Sequence, residues 1–385
     1  MDEIIKLLND NDINVIEFND STTKRRDGDI IYTDKSMFTD IITNGSLGVG
    51  ESYMEDKWSC HNGRLDVLVY KILSKNLQEK IKPQSWSLWF WIISTYVFNY
   101  QTRNKSYDVE KVHYDIGNDI YENMLGPTMA YTCAYFKNGN NDLDQAQRDK
   151  FQLICDKIQL SDNDNVLDIG CGFGTLAKYM AEQKKCNVTG INISKEQLRF
   201  ANDNKKKCMG EEVNNKLTYV DQDYRDITGK FNKIVSVGLC EHVGYKNYRT
   251  WFQKVYDCLE DGGIFLMHTI GSNESVTCTD PWTDKYIFPG GMLPSIKQIG
   301  EAAEGLFVLE DVQNFGPDYD KTLLAWYKNY MDARKDNKLT NKHFDFHRMW
   351  EFYLLSSAGS FRARKMQLWQ FVFTKNRESK YTSPR

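Results

Sequence analysis

The sequence predicts an α/β fold: a doubly wound, mostly parallel sheet accompanied by a smaller N-terminal domain. Three observations predict it. From Val166 onward, short apolar runs of strand character alternate with helical stretches, the pattern of a parallel sheet covered on both faces. The first run leads straight into Gly170-x-Gly172-x-Gly174 and then into a helix, so the backbone turns where a ligand must approach without Cβ atoms in the way. The 385 residues are enough for two domains, or for one large domain with an insertion.

In the N-terminal region, residues 1 to 110, Ile4, Ile5, Leu7 and Leu8 form a short helical stripe, and Asn14–Asn19 alternates like a strand. The stretch Gly45–Cys60 mixes glycines with aromatic residues. The run Trp86–Tyr100 is too short and too interrupted to span a bilayer; it suits either a buried core helix or an aromatic helix at a membrane interface. Gln101–Lys105 is polar and reads as a linker into residues 111–385. There, strands are expected at Val166–Ile169, Asn187–Ile193, Leu217–Val220, Lys233–Val237, Gly263–Ile270 and Gln367–Thr374, with helices at Thr175–Gln183 and Ser194–Asn204. Asp280–Ser295 breaks the rhythm with prolines and glycines and reads as a long loop or an inserted cap.

Composition narrows the function classes. A formal net charge of −4 argues against a general nucleic-acid binder. Aromatic residues make up 13% of the chain, enough either to line an apolar pocket or simply to fill a core. The nine cysteines are scattered without a CxxC pair, which suits reduced thiols in a cytosolic protein and not a disulfide framework or a cysteine zinc site. Met1-Asp2-Glu3 lacks a secretory pattern. His343 and His347 share a helical spacing, but no third metal ligand is evident, so no metal is expected and the pair reads as partly exposed. Lys205-Lys206-Lys207 reads as a solvated helix face that could also touch anionic headgroups.

The strongest motif is Val166–Gly174, VLDIGCGFG. Its spacing differs from the GxGxxG dinucleotide fingerprint. With Asp168 before the glycines it resembles the loop of class I (Rossmann-like) methyltransferases, which faces the aminoacyl end of S-adenosyl-L-methionine. Ligands of such sheets bind outside the carboxyl ends of the strands, so the loops after later strands should complete the pocket. After the second strand stands Asn192-Ile193-Ser194, without the acid that often holds a ribose. Gln197 follows Ser194 at capping-box spacing, so it either caps the helix or binds ribose. After the third strand, Asp223 could accept from an adenine amino group and Tyr224 could stack on the ring, or both belong to a solvated loop.

Taken with their surroundings, these residues resemble the bacterial cyclopropane-fatty-acyl-phospholipid synthases and their mycolic-acid cyclopropane synthase relatives. The likeness runs in order through GSLGVGESYMEDKW (45–58), HYDIGNDIYENMLGPTMAYTCAYF (113–136), VLDIGCGFG (166–174), QDYRD (222–226), SVGLCEHVG (236–244), LMHTIG (266–271), DPWTDKYIFPGGMLPS (280–295), NFGPDYDKTLLAWY (314–327) and AGSFRARKMQLWQ (358–370). The resemblance implies transfer of a methylene group from S-adenosyl-L-methionine to the double bond of an unsaturated acyl chain in a membrane phospholipid. It implies cofactor contacts from Tyr131, Thr132, Gly170, Cys171, Gly172, Asn192, Ile193, Gln197, Asp223 and Tyr224, beside Asp168 of the motif. It implies a bicarbonate ion held by Cys133, Glu241, His268, Ile270 and Tyr319. It further implies a homodimer at the cytoplasmic face of the membrane, with residues 1–110 helping to dock it.

One departure is Ser357, where some relatives carry a cysteine before Ala-Gly-x-Phe-Arg-Ala-Arg. The implied chemistry needs no covalent nucleophile. An alkene attacks a sulfonium methyl, a carbocation forms, and a base removes a proton from the added carbon. That demands a dry site, aromatic faces such as Tyr131 or Tyr319, and an anion to which His268 and the Cys133 region donate while Glu241 relays the proton. The rivals are a relative that methylates without closing the ring, a methyltransferase of small soluble molecules, and a catalytically silent binder of lipid or S-adenosylmethionine.

Overall fold

A computed structural model describes residues 1–80, 95, 99, 101–102, 117–208 and 210–385. The aromatic run Trp86–Tyr100, apart from residues 95 and 99, and the segment around His113 lie outside them.

Three short strands, β1 (Val15–Glu17), β2 (Ile30–Tyr32) and β3 (Trp58–Cys60), form a small N-terminal sheet, parallel between β1 and β2 and antiparallel between β2 and β3. The main sheet contains β4 (Asn165–Ile169), β5 (Asn187–Asn192), β6 (Leu217–Asp221), β7 (Phe231–Val237), β8 (Leu259–Ser272), β9 (Val308–Asn314) and β10 (Met366–Thr374). Its order is β6-β5-β4-β7-β8-β10-β9. The first five are parallel, and β10 runs antiparallel between β8 and β9. This is the architecture of a class I methyltransferase. β4 and β7 are apolar because both faces of the sheet are covered: Val166, Leu167, Ile169, Ile234 and Val235 are all buried.

The strands and helices read from periodicity are present within one to four residues of their expected ends, the helices as Thr175–Lys184 and Lys195–Cys208. β9 carried no such signal. It is an edge strand whose Val308, Leu309 and Val312 are exposed, so its place comes from backbone pairing to β10 and not from side-chain burial.

Gly45–Cys60 forms a helix, Ser46–Met54, followed by β3. Its glycines serve close approach: a Cβ on Gly48 would strike the Asp40 carbonyl, and one on Gly50 would strike the Trp282 indole. Trp282 belongs to the segment 280–295, where Asp280 caps a short helix, Pro281–Tyr286. Its ring packs 4.6 Å from Phe352.

Two long helices, Gly316–Lys335 and Phe344–Arg362, pack on each other and on the N-terminal helices Ser46–Met54 and Leu65–Ser74 in one apolar cluster. An ion-pair cross-tie reinforces them. Buried Asp66 accepts from Arg64 (2.9 Å) and Arg362 (2.8 Å), and Arg362 makes a bidentate pair with Asp320.

The structure corrects two smaller expectations, on the pair His343 and His347 and on Lys205; of the linker Gln101–Lys105 it describes residues 101 and 102. Gln101 is anchored, its side-chain amide donating to the Gly290 carbonyl and its own carbonyl accepting from Asn247 and Arg225. His347 is buried against the Tyr330 hydroxyl, whereas His343 is exposed at the helix N-cap, so the two are not an exposed pair. Lys205 lays its amine on the Leu217 carbonyl, which leaves Lys206 and Lys207 as the solvated face.

Gly50→Ala should destabilise the fold by roughly 1–3 kcal/mol through overpacking against Trp282. A thermal melt checks this, and an unchanged melting temperature would contradict the packing described.

Candidate active site

The carboxyl ends of the parallel strands open on a cavity of about 1310 Å³. At the end of β4, Gly170, Gly172 and Gly174 all have positive φ, +79°, +56° and +76°. The loop is held by Gly170 and Cys171, whose backbone N–H groups both donate to the Ile191 carbonyl at 2.9 and 3.0 Å. A Cβ on Gly172 would meet no atom within 4 Å, so glycine is required there by backbone conformation alone.

Asp168 lies beneath this loop, 2% exposed, and its Oδ2 has no hydrogen-bond partner among the described residues. Burial pushes its pKa up to about 7. After β5, Asn192 Nδ2 donates to Gln197 Oε1 at 2.8 Å, while Ser194 alone faces the Gln197 backbone N–H at 3.5 Å. The Gln197 side chain therefore turns to the cavity wall and not to the helix cap. After β6, Asp223 is buried and paired with Arg225 (3.0 Å), whose guanidinium lies 4.4 Å over the Tyr224 ring. Ile193 also lines the cavity.

The other wall comes from the segment 129–133, from β7 and β8, and from the helix Gly316–Lys335. Tyr131 donates its hydroxyl to Tyr353 (3.0 Å), and its ring packs 5.3 Å from Trp326. Thr132 and Cys133 follow it along the same wall. Burial pushes the Cys133 thiol well up, so it stays protonated. Tyr319 packs 4.5 Å from Phe361 and is likewise held protonated by burial.

Glu241 stands just past β7 and His268 within β8, level with Val237 at the end of β7. Glu241 Oε1 accepts the Ile270 backbone N–H at 2.7 Å, and Oε2 has no partner among the described residues. Burial raises the Glu241 pKa to about 7 against that hydrogen bond. Ile270 thus spends its N–H on orienting the carboxylate. The His268 imidazole is driven well below its usual pKa, first by burial and then by the nearby Lys150 and Lys157 charges, so it is neutral. Gln370 Nε2 sits 3.3 Å from His268 Nδ1. An amide N–H can only donate, so in this arrangement the imidazole proton lies on Nε2, which has no partner among the described residues. Neither Gln370 nor Lys150 stood out in the sequence, because each lies on a different element from the residue it serves. Ser357 lines the cavity, as do the apolar N-terminal residues Ile41, Val49, Val69, Ile72 and Leu73.

A glycine cradle at the end of β4, with an unpartnered buried carboxylate beneath it, defines an S-adenosylmethionine-dependent methyltransferase of class I. The family model described as mycolic acid cyclopropane synthetase matches residues 101–371. The cyclopropane-fatty-acyl-phospholipid synthase of Escherichia coli (strain K12) is 45% identical over 351 residues, covering 91% of this chain and 89% of that one. A sphingolipid C9-methyltransferase of Komagataella phaffii is 32% identical over 86% of this chain and 70% of its own length. Among solved structures, a cyclopropane synthase from Mycobacterium tuberculosis superposes with a TM-score of 0.64 at 25% identity, covering 70% of this chain and 98% of that one. A mycolic acid cyclopropane synthase complexed with SAH and CTAB also gives 0.64, at 27% identity over the same shares. The chain belongs to the mycolic acid cyclopropane synthetase family, and within it is an enzyme of the cyclopropane-fatty-acyl-phospholipid synthase kind.

Difference infrared spectroscopy of the ligand-free protein should show protonated carboxyl bands that vanish as pH rises through about 7. Asp168→Asn and Glu241→Gln should each remove one band. Bands already absent at pH 5.5 would contradict the burial described.

Proposed function

We propose that this enzyme transfers a methylene group from S-adenosyl-L-methionine to the cis double bond of an unsaturated fatty acyl chain in a membrane phospholipid. The products are a cyclopropane fatty acyl phospholipid, S-adenosylhomocysteine and a proton. One observation carries the reading: Asp168 Oδ2, Glu241 Oε2 and His268 Nε2, three buried polar atoms without partners among the described residues, belong to residues lining one largely apolar cavity. Unsatisfied buried groups are costly, and a ligand is the simplest reason to keep them.

Asp168 and the glycine loop suit the ammonium and carboxylate of the donor's aminoacyl end. Asn192, Ile193 and Gln197 suit its ribose, and Asp223 and Tyr224 its adenine. Tyr131, Thr132 and Cys171 complete the donor contacts. In the first step the alkene π electrons bond to the donor's methyl carbon and the S–CH3 pair returns to sulfur, leaving a cation on the neighbouring acyl carbon. The aromatic faces of Tyr131 and Tyr319 favour that cation, and the apolar wall keeps water from trapping it. In the second step a proton leaves the added carbon, and its C–H electron pair closes the ring.

Cys133, Glu241, His268, Ile270 and Tyr319 fit a bicarbonate ion, since Glu241 Oε2 and His268 Nε2 stand ready to bond one, the Tyr319 hydroxyl stays protonated, and the Cys133 thiol, also protonated, could turn to the ion from the Ala134 carbonyl to which it now donates at 3.2 Å. When bound, it supplies a small proton-accepting oxyanion. His268 donates from Nε2. Glu241, titrating near 7, shares or passes on the proton, and Ile270 fixes its orientation. Nothing here needs a thiolate, which agrees with Ser357 in place of a relative's cysteine.

The N-terminal region, residues 1–110, would guide the lipid from the membrane, since five of its apolar residues already line the cavity. Among the described residues, no helix is long and apolar enough to cross a membrane. Docking at the cytoplasmic face, as a homodimer, fits this reading.

Glu241→Gln and His268→Ala should each lower cyclopropane formation on unsaturated phospholipid vesicles by about 10²-fold or more. Donor binding should stay within about threefold of wild type, because neither residue takes part in the donor cradle. Mass spectrometry of the lipids reads the gain of one carbon and two hydrogens with loss of the double bond. Near-normal product from both variants would overturn the roles given, and a methyl-branched product that keeps a double bond would favour a methyltransferase that does not close rings.

Asp168→Asn should weaken donor binding at neutral pH by about tenfold or more. The sign of the pH effect follows from the raised pKa of Asp168. The carboxylate that attracts the donor's ammonium is present above about 7 and lost below it, so wild-type affinity should fall as pH drops from 7 to 5. Calorimetric titration should find that dependence flattened in Asp168→Asn; an equal slope in both proteins would contradict it.

A further inference from the structure

Lys150 is 1% exposed, on the helix Leu143–Lys157. Its amine donates to Thr132 Oγ1 at 2.6 Å and has no ion-pair partner among the described residues. A lysine so placed is costly to bury and calls for a reason. Gln147, one turn earlier, already holds the same segment by donating to the Ala130 and Thr132 carbonyls. A clamp on residues 130–132 therefore does not by itself require a charge.

The charge balance of the cavity supplies the reason. An oxyanion beside Glu241 would put two negative groups in an apolar space, with only neutral donors from His268, Cys133 and Tyr319 around them. The donor's sulfonium charge offsets this only until the methyl is transferred. Two buried lysines act on His268, Lys150 and Lys157. Lys157 already has an ion-pair partner, Asp311 at 3.3 Å, which it shares with Arg385 at 2.6 Å. Lys150 is left, its amine bonded to the residue that precedes Cys133.

We infer that Lys150 is the cation of the anion site, taking a proton from solvent when an oxyanion such as bicarbonate settles beside Glu241 and His268 and returning it when the anion leaves. This rests on the bicarbonate reading above. Lys150 touches none of the reacting atoms and is a positioning residue. The groups acting on it are the Thr132 hydroxyl and Cys133 thiol on their loop and His268 on β8, with the Phe151 ring 5.0 Å from its amine on its own helix; Asp318 acts on Cys133. Burial lowers the Lys150 pKa to about 7, so the empty site holds a largely neutral amine above neutrality and anion binding there must bring a proton with it.

The test titrates bicarbonate into carbon-dioxide-depleted assays of the wild-type enzyme, Lys150→Met and Lys150→Arg, with donor and unsaturated phospholipid vesicles, at about pH 7 and about pH 9. Lys150→Met keeps most of the length of the side chain and removes its charge together with the hydrogen bond to Thr132. It should need about tenfold more bicarbonate than wild type near pH 7 and within about threefold near pH 9, where wild type has lost the same charge. Lys150→Arg stays charged throughout, so its bicarbonate requirement should rise less with pH than that of wild type. A Lys150→Met to wild-type ratio that is the same at both pH values would overturn the assignment and leave a structural clamp. If Lys150→Met fails to bind donor, Lys150→Arg decides alone, and a pH slope equal to wild type overturns the assignment. A wild-type enzyme indifferent to bicarbonate would remove the anion site itself, a result distinct from either of these.

Discussion

The 2.7 Å hydrogen bond from the Ile270 backbone N–H to Glu241 Oε1 fixes the centre of this molecule. It joins the turn after β7 to β8, so the carboxylate is held by main chain that the sheet itself makes rigid. One oxygen is satisfied and the other has no partner among the described residues. The same sheet holds His268 between Val237 and Gln370, with one ring nitrogen occupied and the other free of partners among the described residues. Two half-satisfied polar side chains within an apolar wall leave hydrogen bonds that a ligand can complete. The rest of the structure surrounds that arrangement with largely apolar side chains.

The apolar wall is built from distant parts of the chain. The helices Gly316–Lys335 and Phe344–Arg362 bring Tyr319, Phe352 and Phe361 to the cavity, and the N-terminal helices close its far end. The Arg362 guanidinium ties Asp66 of the N-terminal region to Asp320, the neighbour of Tyr319. The N-terminal helices and the helix that carries Tyr319 therefore share one core, and a strain in one is felt in the other.

The α/β order and most of the main sheet were legible because β4 to β8 and β10 are apolar runs set between helices. The glycine loop was legible because only glycine fits its backbone. β9 was not, since an exposed edge strand held by backbone pairing leaves no periodic trace. The helix Ser46–Met54 was hidden by glycines whose purpose, contact with Asp40 and Trp282, lies far away in sequence. At the site, Asp168, Glu241 and His268 could be named from motif and family likeness. Their protonation states could not, because these depend on burial and on partners such as Gln370 and Lys150 that only folding brings near. Gln197 shows the limit well: its spacing fits a capping box, and only its bond to Asn192 turns it toward the cavity.

The central claim is that the acyl cation, sealed from water, loses a proton from the carbon just delivered. The most direct measurement supplies donor carrying a fully deuterated methyl group and weighs the lipid product. Removal of a proton from the added carbon predicts a cyclopropane that keeps two of the three deuterium atoms. A product retaining all three, with the hydrogen lost elsewhere along the chain, would contradict it.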